Sequence, residues 1–341
     1  MSLYHLPKYM KILITGATGL VGSAVARRFL SENHTVSALY RSGSDRSLLQ
    51  DVEEKIQWVE GDILDIGSLE TAMKNIDFVV HTAAVVSFVP RDRKMMYTVN
   101  TEGTANIVNA CLKYKIGKLC HVSSIAALGR PDVRKIIPGQ DVVLDETQRW
   151  EDSPENSEYA KTKYLAELEI WRGIAEGLNA VIVNPTLILG EGDWSKSSTQ
   201  IFRYVYQEKP FYTEGIANYV DVQDVAEIVF QLLFSNISAE RFLLNAGSIS
   251  YQNLFNTIAD SMQKKRPSFR VGAGLAAIIW RLEAIRTWLV GTKPLITKET
   301  AQSGARKIRY NNDKIKKALG YHFQPIEKTV SRVSESLLRK I

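Results

Sequence analysis

The stretch Gly16-Ala17-Thr18-Gly19-Leu20-Val21-Gly22 constrains this chain more than any other. It follows the apolar run Lys11-Ile12-Leu13-Ile14. It opens an amphipathic stretch, Gly22 to Leu30, that sets Val21, Val25, Phe29 and Leu30 on one side. A strand entering a helix through three such glycines brings backbone up to the pyrophosphate of a dinucleotide. Gly16 then permits the tight turn, Gly19 removes a Cβ where the phosphates approach, and Gly22 lets the helix pack on the sheet. Thr18, Leu20 and Val21 lie where the helix offers free N–H groups and the positive end of its dipole to an anion.

Beyond the turn, short apolar runs alternate with helical stretches. Strands are expected at Thr35–Tyr40, Ile56–Glu60, Phe78–His81, Lys118–Val122 and Ala180–Asn184, and a helix over Gly103–Tyr114. Such alternation implies βαβ units and a parallel sheet. Runs without polar alternation, such as Phe78-Val79-Val80, fit strands covered on both faces. After Pro185 the rhythm breaks. A loop covers Gly190–Ser198, a strand-like entry at Tyr219 leads into an apolar helix to Phe234, and the C-terminal end is helix-rich. The reading is an α/β, doubly wound parallel sheet over residues 10–184, with 219–246 returning to it. Residues 185–218 and 247–341 would form a smaller, helix-rich substrate lobe, and residues 1–9 an extension outside the fold. The cleft at the carboxyl ends of the strands is the expected ligand site.

A chain of 341 residues has room for a large domain and a smaller lobe. Its 45% hydrophobic and 23% charged residues exclude a disordered chain. Cys111 and Cys120 are its two cysteines and no CxxC occurs, so neither a disulfide framework nor a metal site is expected. The net charge of +6 is local: twelve Lys/Arg against four Asp/Glu stand from Thr292 onward. Lys314, Lys316 and Lys317 alternate there with Ile315 and Ala318, which reads as a solvated helix face and not a nucleic-acid surface. No signal peptide and no run of about 18 apolar residues is present, so a cytoplasmic protein without an integral membrane span is expected.

At the end of the second strand an acidic residue would accept from a free ribose 2′-hydroxyl. Arg41 stands there instead, with Arg46 close behind, and guanidinium groups at that place suit a 2′-phosphate. This favours NADP over NAD; the plainer alternative is arginines facing solvent. Asp62, in Gly61-Asp62-Ile63 after the third strand, is placed to accept from an adenine amino group. Ser68 is expected to cap the following helix. Ala83 and Ala84 end the fourth strand and are small enough for a cofactor ribose to lie on the backbone, or simply for tight packing.

Tyr159 and Lys163 stand at i and i+4 of one helix and so share a face. A phenol with its ordinary pKa of about 10 exchanges protons poorly at neutral pH. An adjacent ammonium should lower that pKa, and the same amine could bind a cofactor ribose. Lys161, at i+2, faces elsewhere. YxxxK alone describes many amphipathic surface helices. Ser123 and Ser124, closing the fifth strand on the ligand edge, supply hydroxyls that could align a carbonyl with the tyrosine.

Glycine turn, strand-end serine and YxxxK in that order resemble an extended short-chain dehydrogenase/reductase, with a Rossmann-type fold, of the NAD(P)-dependent epimerase/dehydratase family. His81-Thr82-Ala83-Ala84, Asn100-Thr101-Glu102-Gly103, Asn184-Pro185-Thr186 and Tyr219-Val220-Asp221 match its pattern as well. The resemblance implies Ser124, Tyr159 and Lys163 as catalytic residues. It implies Asn100 as a support of the proton relay, and Pro185 and Thr186 beside the nicotinamide. Within the superfamily the chain is similar to the dihydroflavonol reductase-like group, in Arg41 and in the tail Lys293-Pro294-Leu295-Ile296. Ile125 and Ala126 stand where a sugar dehydratase of this fold would carry an acidic pair.

The expected activity is hydride transfer between NADP(H) and a carbonyl or alcohol carbon. A nucleotide-sugar epimerase using bound NAD and a non-catalytic dinucleotide sensor are the competing readings. Val86, Ser87, Phe88, Leu187, Leu189, Trp194, Phe211 and Tyr212 could wall the substrate pocket or belong to the core. The segment Ala273–Val290 reads as a helix over the cleft or, alternatively, one resting on a membrane surface. Both point to an apolar or aromatic small-molecule substrate. A homodimer is suggested by fold analogy alone.

Overall fold

A computed structural model describes residues 9–132, 142–194, 198–272 and 308–339. In chain order its strands are β1 (Lys11–Thr15), β2 (Thr35–Tyr40), β3 (Ile56–Glu60), β4 (Phe78–His81), β5 (Lys118–Val122), β6 (Val142–Leu144) and β7 (Ala180–Pro185). They continue as β8 (Leu187–Leu189), β9 (Phe211–Thr213), β10 (Ile216–Asp221), β11 (Glu240–Leu244), β12 (Gly247–Ser250), β13 (Phe269–Val271) and β14 (Ile308–Tyr310). The helices are α1 (Leu20–Ser31), α2 (Ile66–Ala72), α3 (Arg93–Tyr97), α4 (Gly103–Lys113) and α5 (Glu158–Ala175). After them come α6 (Thr199–Tyr206), α7 (Val222–Phe234), α8 (Tyr251–Ser261), α9 (Asp313–Leu319) and α10 (Ile326–Leu338).

Seven parallel strands form the central sheet in the order β11-β7-β5-β4-β1-β2-β3. The chain order reverses between β1 and β4, and that switch point opens a crevice at the strands' carboxyl ends. One apolar layer packs α1 and α7 on the sheet through Val25, Phe29, Val225 and Val229. The other packs α2, α4 and α5 through Leu69, Ile107, Cys111 and Ile170. A third cluster, around Phe202, Leu254, Ile258 and Val330, joins α6, α8 and α10 outside the sheet.

Four of the strands stand where the sequence places them: β4 and β5 are buried along their whole length, β2 at its four central residues, and β3, at the sheet edge, only at Ile56. Helix α1 starts at Leu20, two positions earlier than expected, since Gly19 is still extended. The Gly103–Tyr114 stretch is the end of a longer helical path: α3 runs through a π-helical turn, Thr98–Glu102, into α4. The helix-rich C-terminal end also carries short strands. Tyr219 belongs to β10, which pairs with β8 and β12 outside the central sheet, while β11 pairs with β7 inside it. Ala273–Val290 and Lys293–Ile296 lie outside the described residues. Among those described, no helix is long and apolar enough to cross a membrane.

Candidate active site

The glycine turn closes β1 and meets the end of β4 across the switch point. Gly16 has φ +72°, and a Cβ there would come within 2.7 Å of the Ala83 nitrogen. A Cβ on Gly22 would sit 2.2 Å from the Gly16 carbonyl. Its packing demand therefore comes from the turn itself, not from the sheet as the sequence suggested. A Cβ on Gly19 would meet only the Gly16 oxygen, at 3.3 Å. Gly19 is exposed, and α1 has no side-chain cap. The backbone N–H groups of its first turn thus face an open cradle, which fits a dinucleotide pyrophosphate.

The other candidates gather on the same edge. Arg41 follows β2 and is exposed. Arg46 pairs with Glu53 at 2.9 Å, and its guanidinium lies 5.2 Å from the Tyr40 ring and 5.1 Å from Trp58. Glu60, beside Tyr40 in register, accepts from the Tyr40 hydroxyl at 3.4 Å. Asp62 follows β3, and its carboxylate accepts from the Leu64 N–H at 2.9 Å. The expected cap is corrected: Asp65 caps α2, accepting from Gly67 and Ser68, while the Ser68 hydroxyl braces the Asp62 and Asp65 backbone. Ile63 is buried against Gly103, so its side chain serves the core. Ala84 is exposed and Ala83 partly buried.

Asn100 is buried in the π-helical turn. Its amide exchanges hydrogen bonds with Val85 and donates to Thr162 on α5. It therefore ties the loop after β4 to the helix of Tyr159 and Lys163 without bonding either side chain. Pro185 ends β7, and the buried Thr186 hydroxyl donates to the Leu244 carbonyl.

Ser157 caps α5 by accepting from Ala160, which places Tyr159 in the first turn and Lys163 one turn on. Lys161 points away and pairs with Glu158 at 3.5 Å. The Ser124 oxygen accepts from the Ala126 N–H at 3.1 Å, and its hydroxyl is near enough to Tyr159 to act on the phenol's acidity. Lys163 is buried, donating to the Val122 carbonyl at 3.2 Å.

The expected depression of the tyrosine pKa does not occur in this state. Burial pushes the Tyr159 hydroxyl up to about 12, and the influence of Ser124 only partly opposes it. Burial also brings Lys163 down to about 8, against the attraction of Glu167. The Lys163 ammonium is turned to the Val122 carbonyl and does not offset the burial of the phenol.

Behind Lys163 stands a carboxylate that the sequence reading missed. Glu167 is buried one further turn along α5, hydrogen-bonded by Asn184 and 3.6 Å from Arg241. The signal was available, since i+4 from Lys163 returns to the inward face. Of the candidate pocket residues, Leu189 is fully buried in the outer cluster, with Leu187 and Trp194 packed on it. Phe211 is exposed and Tyr212 partly so. Phe88 reaches the site: its ring stands edge-on to Tyr159 with centroids 6.1 Å apart.

The model of the NAD dependent epimerase/dehydratase family matches residues 12–243. A relative from Synechocystis sp. named as a dihydroflavonol 4-reductase is 29% identical over 90% of this chain and 88% of its own. Cinnamoyl-CoA reductase 1 of Petunia hybrida is 25% identical over 96% of this chain and 92% of its own. Among solved structures, the crystal structure of gox2253 superposes with a TM-score of 0.80 at 30% identity, covering 96% of this chain and 98% of that one.

Proposed function

Because the chain belongs to the NAD dependent epimerase/dehydratase family, a family of NAD(P)-dependent reductases, dehydratases and epimerases, we propose that it is an NADP-dependent oxidoreductase. It moves a hydride to or from a carbonyl or alcohol carbon of a small apolar or aromatic substrate. The observation that carries this reading is the meeting of Ser124, just past the carboxyl end of β5, with Tyr159 in the first turn of α5, and Lys163 fixed one turn further on against the Val122 carbonyl.

When bound, the nicotinamide supplies or accepts the hydride. Ser124 is held by the Ala126 N–H and donates to the substrate oxygen. Tyr159 stays protonated through neutral pH, so it is in the form that gives a proton to that oxygen in reduction. The Lys163 amine would hold the cofactor ribose when the dinucleotide is bound. Phe88 against Tyr159 and the exposed Val86 support an apolar or aromatic substrate. Arg41 and Arg46 support NADP, with residues 185–218 and 247–341 serving as the substrate lobe.

Two measurements test the reading: NADPH and NADH affinities of the purified protein, then an aldehyde and ketone panel followed by cofactor oxidation. NADPH should bind at least about tenfold tighter, a difference of about 1.4 kcal/mol, and an apolar or aromatic carbonyl should oxidise it. Tightly retained NADH with no oxidation across the panel would replace this reading with a nucleotide-sugar epimerase.

A further inference from the structure

Among the described residues, three titratable groups near Lys163, His81, His121 and Glu167, have no part in the proton transfer described above. His81 on β4 and His121 on β5 are buried with rings 5.1 Å apart. Both stay neutral at neutral pH, held down by burial and by the nearby Lys163 charge. Tyr159 stays protonated. Glu167 is the carboxyl group on the same inward face of α5, one turn beyond Lys163 and 2% exposed. Its oxygens are occupied from two further strands. Asn184 on β7 donates to one of them, and the same amide donates to the Ser124 carbonyl at 2.9 Å. Arg241 on β11 stands 3.6 Å from the other and is anchored on the Glu146 and Gln148 carbonyls.

We propose that Glu167 is a positioning residue: its buried carboxylate, clamped by Asn184 and Arg241, holds Lys163 as an ammonium against the Val122 carbonyl and fixes the backbone of Ser124. The role rests on the catalytic reading of Tyr159 and Lys163, but the arrangement itself does not. A fully buried lysine without a counter-charge loses its proton near or below neutrality. A buried carboxylate without Asn184 and Arg241 would itself take up a proton, since burial raises Glu167 while those two partners and Lys163 lower it. Asn184 couples the pair to Ser124, so one carboxylate serves both the charge behind the tyrosine and the position of the serine.

The test follows the Lys163 Cε signal by NMR in protein labelled with [6-13C]lysine, assigned with Lys163→Met. The wild-type signal should titrate near 8. Glu167→Gln should lower the midpoint by at least about one pH unit, a tenfold loss of proton affinity. Glu167→Asp keeps the charge and should hold the midpoint near that of the wild type. In the reduction assay the alkaline limb of the Glu167→Gln rate profile should move down with the lysine. An unchanged midpoint in Glu167→Gln, or an equal drop in Glu167→Asp, would overturn the proposal. If Glu167→Gln does not fold, the wild type still decides: the Glu167 carboxyl 13C signal must report a carboxylate at neutral pH, and a protonated carboxyl would overturn it. Neither NMR readout depends on turnover, so an inactive protein with the expected titrations would reject the catalytic reading and leave the clamp standing.

Discussion

His121 is buried with neither ring nitrogen hydrogen-bonded within the described residues, while His81 beside it bridges the Thr15 and Thr104 hydroxyls at 2.7 and 3.0 Å. Burial holds His81 down to about 3 and His121 well below its usual value. Both imidazoles are therefore neutral in the folded protein but take up protons in the unfolded chain below about 6.5. The unfolded state binds more protons in that window, so stability should fall as pH drops from about 6.5 toward 3. His121→Phe removes one of the two sites, and its stability should fall less steeply over the same window in denaturant titrations. An identical slope would contradict the assignment. At this scale the sequence shows which residues meet but not their charge balance. Tyr159 and Lys163 are legible because helical geometry fixes i and i+4. The direction of the tyrosine pKa is not, because it depends on how much water reaches the hydroxyl, which residues distant in sequence such as Phe88 and Ser124 help to decide.

Helix α2 shows how local competition hides a cap. Asp65 and Ser68 both suit an N-terminus, but Ser68 turns its hydroxyl back to the Asp62 and Asp65 backbone, and Asp65 takes two N–H groups. Asp65→Ala should cost about 1 kcal/mol in denaturant unfolding, the usual loss for such a cap. Ser68→Ala should leave α2 capped. Helix α1 is more exacting. A methyl group on Gly22 collides with backbone that cannot move aside, so Gly22→Ala should destabilise by about 1–3 kcal/mol and weaken dinucleotide binding. Calorimetry and a cofactor titration read the two effects, and normal values in both would remove Gly22 from the turn's design. The glycine spacing and the apolar strands were readable because each is a local rule. The π-helical turn around Asn100 was not, because it is set by what Asn100 meets across 62 residues, the Thr162 hydroxyl.

Across the whole molecule, α10 is locked onto the start of α7. Asp221 caps α7 while 1% exposed, and it also accepts from the Thr329 hydroxyl and pairs with Arg332 at 2.5 Å. Arg332→Met leaves that carboxylate buried without its counter-charge and should cost about 3 kcal/mol or more in urea unfolding. A loss below about 1 kcal/mol would mark the pair as a surface bridge. This docking was invisible in the sequence, where Asp221 and Arg332 stand 111 positions apart. The parallel run of the sheet was implied by alternation alone, and with it the collection of the strand-end candidates on one edge, while the strand order was not. That collection is what the account depends on, and Tyr159→Phe tests it most directly. The variant lacks only the hydroxyl that faces Ser124, so it should bind NADPH as the wild type does and lose carbonyl reduction by about 100-fold or more. Reduction within a few fold of the wild type, at unchanged NADPH affinity, would contradict a proton delivered from that phenol.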